Sequence, residues 1–495
     1  MKRLRRFACP AASMLALVMA GSAAKAQTLQ QIENGQPQLF VDAVESYIYG
    51  YPLMMVGVTG RTATTIPDAM TKLGAAPLNQ FGKELRLPDA TFKDVVLPST
   101  TTLYASSFLN LAEEPVILHI PYMGNRFFLL QMLDGWTNVS MKSPGSRLGS
   151  QEGDYALVGP NWNGQLPFGL RETIQMPTNT MWIIGRIYTN GTQWDLNEVV
   201  QFIYPGLTLT PLSRFRRGPY TPPSDLPVQP YADVKTTPLN QVAGMDACAF
   251  FQNMAAMMIY NRPIAGQDDA MLPKLANVGL FQDHYYDCTA IGRDTMDTLQ
   301  KGVAAARAFL NIAPTPPQTA TKWTMSLGVG TYGDSYLLRA EVAKDALGAN
   351  NPIDAVYGYT TNDGTNALLD GANNYKIHFA PPGVSQGIPP VNPKGFWSVT
   401  IYNADGTLVA NDAATNAGVN YNAIGVPYVQ GHMAQFNMDG SLDLYLQTNP
   451  PPAGTAFKNW LPTPKTGNYI VFLRMYWPDQ TIQSGQWIPP AIVKN

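Results

Sequence analysis

The sequence predicts an α+β, β-rich fold: two antiparallel β-sandwich or jelly-roll-like lobes joined by a helical insertion. Strand-like runs crowd into two separate stretches, 116–188 and 396–477, and apolar residues three and four apart dominate the stretch between them. The 42 glycines and 41 prolines are spread along the chain, as many short strands joined by turns require.

Taken in order, residues 1–26 read as a signal peptide. Lys2, Arg3, Arg5 and Arg6 make a positive start, Ala11 to Ala20 an uncharged apolar run, and Ala24-Lys25-Ala26 a small-x-small cleavage site. Cleavage near Ala26/Gln27 would place the mature protein in the periplasm or outside the cell. The apolar run is shorter than the roughly 20 residues of a membrane helix, and no later run reaches that length, so no integral membrane span is expected. Cys9 precedes the apolar core, which a lipoprotein signal would not allow. The leader carries five of the 33 basic residues and none of the 35 acidic ones, so its removal takes the formal net charge from −2 to −7. That balance excludes a nucleic-acid partner, because neutralising phosphates needs a basic surface. The one basic cluster, Arg214, Arg216 and Arg217, reads as a solvated loop.

The mature chain is too long for one core and divides into an N-terminal β-rich domain (27–212), a Pro-rich linker with a helical bridge (213–321) and a C-terminal β-sandwich domain (322–495). Phe40, Val41, Val44, Tyr47, Ile48 and Tyr51 predict an amphipathic helix near 38–51 that Pro52 interrupts or restarts. Strands are expected at Val116–Ile120, Arg126–Leu133, Tyr155–Val158 and Met181–Tyr188, with turns at Gly124-Asn125 and Asn190-Gly191. Helices follow at Leu239–Tyr260, where Met254, Met257 and Met258 form a soft apolar stripe, at Thr289–Leu310, and near Tyr336–Leu347. Strands return at Phe396–Tyr402, Leu442–Gln447 and Tyr469–Trp477. Cys248 and Cys288 either pair or stay as buried thiols.

Segments of both lobes carry a resemblance. Tyr47-Ile48-Tyr49-Gly50-Tyr51-Pro52, Ala76-Pro77-Leu78-Asn79-Gln80-Phe81, Met132-Leu133-Asp134-Gly135-Trp136-Thr137-Asn138, Pro177-Thr178-Asn179-Thr180 and Ile184-Gly185-Arg186 resemble the bacterial domain of unknown function 1254. Tyr336-Leu337-Leu338-Arg339, Phe396-Trp397-Ser398-Val399-Thr400, Gly440-Ser441-Leu442-Asp443, Asn459-Trp460-Leu461-Pro462 and Tyr476-Trp477-Pro478 resemble its usual partner, domain of unknown function 1214. The resemblance implies an exported two-domain β protein and carries no activity with it. Where the family pattern commonly reads Arg-Pro-Asn-x-Asp-Thr-Leu-Tyr, this chain reads Leu97-Pro98-Ser99-Thr100-Thr101-Thr102-Leu103-Tyr104. A chemistry that used the family Asp is lost or replaced here.

No catalytic motif names a reaction. His119, His284, His378 and His432 lie far apart without metal-ligand spacing, Gly-x-Ser-x-Gly is absent, and Gly328-Val329-Gly330-Thr331-Tyr332-Gly333 lacks the Lys and Ser/Thr of a phosphate loop. Asn362-Asp363-Gly364 and Asp405-Gly406 read as turns before calcium ligands. No metal or cofactor is expected.

Two constellations remain. Asp134, Trp136 and Asn138 would share a face of an extended segment, and Arg147 and Arg186 could bring fixed positive charge to it; an ion pair holding a loop is the competing explanation. Asp443 and Arg474 read as a structural pair across a sheet. Tyr47, Tyr49, Tyr51, Tyr104, Trp136, Trp397, Tyr402, Tyr476 and Trp477 exceed what one core needs, and aromatics beside Asn and Asp are a common way to hold sugars. The sequence therefore points to a periplasmic or cell-envelope ligand-binding or structural protein, with Trp136, Asn138, Arg147 and Tyr104 as ligand-binding candidates. The alternative is a periplasmic hydrolase or lyase on a small or saccharide-like substrate, with Asp134 as acid or base and Arg186 as anion partner. A small-molecule or saccharide ligand and a homo-oligomer are the partners left open.

Overall fold

A computed structural model describes residues 36–69, 74–92, 96–228, 233–312, 317–410, 423–426, 434–452, 454 and 459–495. The leader, its cleavage point and His432 lie outside these residues. The chain forms two compact units, a helical one (residues up to 58, 236–314 and 333–345) and a β-rich one (59–235, 315–332 and 346–495). Among the described residues no helix is long and apolar enough to cross a membrane.

In the helical unit, α1 (Pro37–Thr64) contributes residues up to 58 and packs with α2 (Pro238–Gly244), α3 (Ala247–Tyr260), α4 (Leu272–Asn277), α5 (Arg293–Asn311) and α6 (Tyr336–Asp345). The expected break at Pro52 does not occur. Ile48, Tyr49, Tyr51, Leu53, Met54, Met55 and Val56 are all buried, and burial on this scale outweighs the roughly 3 kcal/mol that an internal proline costs a helix. The single helix expected over Leu239–Tyr260 is divided instead, because the Asp246 side chain accepts the Ala249 N–H and caps a new start. α1 meets α5 closely at Gly302, where a Cβ would lie 2.5 Å from that of Ala43. Cys248 and Cys288 are joined in a disulfide.

The β-rich unit contains both lobes, each a sandwich of two sheets. The strands of the N-terminal lobe are β1 (Gly82–Lys83), β2 (Thr102–Asn110), β3 (Val116–Ile120), β4 (Phe128–Asp134), β5 (Gly153–Val158), β6 (Glu172–Gln175), β7 (Thr180–Tyr188) and β8 (Thr208–Pro211). They form sheets of order β1-β2-β7-β4 and β6-β5-β3-β8. Leu103, Ala105, Leu118, Leu130, Met132, Leu157, Met181 and Ile183 fill the space between them. The strands of the C-terminal lobe are β9 (Thr324–Met325), β10 (Ala355–Thr360), β11 (Tyr375–Phe379), β12 (Val391–Asn403), β13 (Ala423–Val426), β14 (Leu442–Leu446), β15 (Trp460–Leu461), β16 (Tyr469–Pro478) and β17 (Ile492–Lys494). Their sheets run β13-β12-β16-β10-β9 and β15-β14-β11-β17 around Val356, Ile377, Trp397, Val399, Leu444, Val471 and Leu473. Pairing is antiparallel except for β5 with β6 and β14 with β15.

Side chains alternate across a strand, so each sheet that fills its own core also has a second face. On β2-β7-β4 that face carries Tyr104, Arg186, Leu129, Gln131 and Ile184. On β12-β16-β10 it carries Phe396, Ser398, Tyr402, Arg474, Tyr476 and Tyr357. The two second faces meet: Phe127 and Leu129 of one lobe pack with Ala355, Phe396 and Tyr476 of the other.

Candidate functional site

Where these faces meet, two arginines are buried, one from each lobe. Arg186 stands opposite Tyr104 on β2 and Leu129 on β4, and Arg474 opposite Tyr357 on β10 and Ser398 on β12. They are 6% and 4% exposed, and among the described residues neither forms an ion pair with a carboxylate. Neutral groups hold them instead. Arg186 Nη1 donates to Gln131 Oε1 at 2.5 Å, and its guanidinium lies 5.5 Å from the Tyr104 ring centroid. Gln131 Nε2 in turn donates to the carbonyl of Ala349 at 2.7 Å, fixing which way its oxygen points. Arg474 Nη2 donates to the Leu97 carbonyl at 2.7 Å, and its guanidinium packs 4.4 Å from the Phe472 ring.

The strand-start segment that departs from the family pattern therefore borders this cluster. Leu97 adopts a left-handed conformation (φ 52°), its N–H donates to the Gly406 carbonyl, and the next carbonyl, of Pro98, accepts the Tyr402 hydroxyl at 2.5 Å. A non-glycine residue at positive φ costs free energy, and here the bonds on both sides of Leu97 hold it in place.

The hydrogen-bonding capacity of the cluster is incompletely used. Arg186 Nε, Ser398 Oγ, Asn350 Oδ1 and Asp354 Oδ2 are buried without a partner. Asn350 Nδ2 donates to the Tyr357 hydroxyl at 2.7 Å, and that hydroxyl donates to the Tyr476 hydroxyl at 3.3 Å. Burial pushes the Tyr104 phenol up against the pull of Arg186, and burial holds the Tyr476 phenol well above its ordinary value. Both phenols stay protonated at neutral pH and can donate. Glu84, whose carboxylate accepts the Tyr104 N–H at 3.2 Å, has its carboxyl pushed up to about 7 by burial. Tyr104 and Tyr357 keep part of their surface accessible, one from each lobe.

The other expected site residues take different roles. Asp134 is 1% exposed and organises its own turn: it accepts the Trp136 N–H at 2.8 Å, the Asn138 N–H at 2.9 Å and Asn138 Nδ2 at 2.9 Å, with Thr137 at φ 70°. Trp136 is fully buried beneath that turn. Asp134 pairs with Met181 on the core face of the ladder, whereas Arg186 lies on the other face, opposite Leu129. Five strand positions separate Leu129 from Asp134, about 17 Å. Arg186 and Asp134 are thus not brought together, because an odd separation along a strand changes the face. Arg147 bonds Asp354 Oδ1 at 2.5 Å. Asp443 and Arg474 do not pair: Asp443 lies in the other sheet and accepts from His378 at 2.7 Å. Of the aromatics, Tyr104, Tyr402 and Tyr476 reach the arginine cluster, whereas Trp397 fills the C-terminal core and Tyr47 packs on Phe250 in the helical unit. Asp363 Oδ1 accepts the N–H groups of Thr365 and Ala367, the geometry of a turn.

Sequence reasoning passed over Gln131, Asn350, Tyr357 and Ser398, and placed Arg474 in a different pair. A signal was present. In Tyr469–Pro478, Val471, Leu473 and Met475 alternate with Phe472, Arg474 and Tyr476, so the arginine falls on the face that the core does not use.

Comparison with known proteins agrees with this architecture. The family described as "Protein of unknown function (DUF1254)" matches residues 78–211, and the one described as "Protein of unknown function (DUF1214)" matches residues 354–480. No curated protein matches the chain. The crystal structure of the VPA0106 protein from Vibrio parahaemolyticus is similar over 92% of this chain and 100% of its own, with a TM-score of 0.66 and 22% identity, which supports the fold alone. A putative uncharacterized protein from Burkholderia cenocepacia aligns over 98% of both chains with 12% identity and a TM-score of 0.39. The chain carries both of these domains of unknown function, 1254 in the N-terminal lobe and 1214 in the C-terminal lobe.

Proposed function

We propose that the protein is an exported, periplasmic binding protein for a small anionic molecule, held between Arg186 and Arg474 where the two β lobes meet. The observation that carries this reading is a pair of buried guanidiniums, neither with a carboxylate partner among the described residues. An uncompensated buried charge costs several kcal/mol, and an anion supplied from solution is the direct compensation. Tyr104 and Tyr476 add neutral phenols beside the arginines whose O–H groups can donate hydrogen bonds, which suits a carboxylate or phosphate group. Export rests on the charged start, apolar run and cleavage pattern of residues 2–26. The alternative of a hydrolase or lyase that pairs Asp134 with Arg186 has less support, because the Asp134 carboxylate serves its own turn.

Thermal-shift measurements with small carboxylates and phosphates test the reading. Ligand at about 100 times its Kd should stabilise the parent by about 2.7 kcal/mol. Arg186→Gln and Arg474→Gln should each abolish the shift while remaining folded. Absence of a shift with every anion, or shifts that both variants retain, would overturn it.

A further inference from the structure

We infer that the anion this site takes is hydroxylated, in the manner of a sugar acid or sugar phosphate. This inference rests on the anion-binding reading above and goes further in naming the rest of the ligand.

Arginines and phenols account for an anionic group, but they do not account for the acceptors beside them. Asn350 is 2% exposed, and its Oδ1 has no partner, while its Nδ2 is bound to Tyr357 in the face that carries Arg474. Asp354 Oδ2 is likewise buried without a partner, and this carboxylate lies within electrostatic reach of Arg186. Ser398, beside Arg474 in the ladder, has a buried hydroxyl that neither donates nor accepts. Unused buried acceptors call for donors, and a bare carboxylate or phosphate has none. The ligand must therefore carry proton-donating groups close to its anion.

Charge decides which donors. Arg186 and Arg474 contribute two positive charges, while Asp354 is already compensated by Arg147 at 2.5 Å. A zwitterion, whose ammonium cancels its carboxylate, would leave those two charges standing. Neutral hydroxyl donors satisfy Asn350 Oδ1, Asp354 Oδ2 and Ser398 Oγ and leave the anion to compensate the arginines. The accessible parts of Tyr104 and Tyr357 suit such a ligand, since phenol rings stack on the C–H faces of sugars and their derivatives.

Calorimetric titration of the purified protein distinguishes the possibilities. The probes are gluconate and glucose 6-phosphate, with hexanoate as an anion lacking hydroxyls, serine as a zwitterion and glucose as a neutral polyol. Gluconate or glucose 6-phosphate should bind at least about tenfold more tightly than hexanoate, serine or glucose, and the stronger of the two identifies the anionic group. Asn350→Leu should reduce that preference about tenfold; Ser398→Ala, a milder change, should move it in the same direction. Equal binding of hexanoate and the hydroxylated anions, or a preference untouched in both variants, would overturn this inference while leaving the anion-binding reading intact. Failure of every anion to bind would overturn both.

Discussion

Arg147 of the N-terminal lobe and Asp354 of the C-terminal lobe form an ion pair of 2.5 Å in which the aspartate is 3% exposed. Burial raises the Asp354 carboxyl pKa and Arg147 opposes that rise, so the arginine is what keeps the charge tolerable. Arg147→Gln should destabilise the protein by about 3–5 kcal/mol, because it leaves a buried carboxylate uncompensated. Adding Asp354→Asn should recover much of the loss. Urea unfolding of the two variants measures both effects, and a loss below about 1 kcal/mol in the single variant would count against the pair's role.

Asp134→Asn separates the turn from the anion site. The carboxylate accepts three N–H groups, and an amide keeps only one acceptor oxygen, so about 1–3 kcal/mol of stability should be lost. The thermal shift produced by a bound anion should persist. Loss of that shift with stability unchanged would mean that Asp134 touches the ligand.

Glu84 makes stability depend on pH in an uncommon direction for a carboxylate. Its pKa is pushed from 4.5 to about 7 by burial, against the Tyr104 N–H that favours the charged form. The native state holds this proton more tightly than the unfolded chain, so the contribution is full below about pH 4.5 and is lost as pH rises through about 7. Glu84→Gln should flatten the stability profile between pH 5 and 8, and at pH 8 the variant should exceed the parent by up to about 3 kcal/mol. Chemical denaturation across that range reads the difference, and parallel profiles would refute the assignment.

The Cys248–Cys288 bridge closes a loop with a sequence separation of 40. Chain entropy alone makes such a link worth about 4 kcal/mol. Cys248→Ser should lower the stability of the helical unit by roughly that amount, and reductant should lower the parent to the same level. A variant that unfolds at the parent's denaturant concentration would show the bridge to be energetically idle.

The sheets were legible because alternation is a local signal: Val116–Ile120 and the Tyr469 strand read directly from their apolar residues. β2 was not, since Thr102–Asn110 mixes Ser, Thr and Tyr with only a few apolar positions, and its burial is decided by the partners β1 and β7. The uninterrupted helix through Pro52 was hidden for the same reason, as packing rather than propensity decides it. Arg186 could be singled out as a charge in an apolar run, but its surroundings could not. Gln131, Asn350 and Arg474 lie far from it in sequence and come near only when two sheets present their second faces to each other. Asp134 misled because Asp, Trp and Asn two apart suggest one exposed face, whereas a turn with Thr137 at φ 70° folds them back on themselves.

The regions matched by the two families, 78–211 and 354–480, are separate in sequence but fall in one compact unit and share the apolar contact of Phe127 and Leu129 with Phe396 and Tyr476. Boundaries drawn from sequence families are therefore not seams along which this protein comes apart. Exchange of one domain for its counterpart from a distant relative would set a face shaped for Arg186, Gln131 and Tyr104 against a foreign one. Change on either side must be matched on the other, and the two domains are constrained to be inherited together.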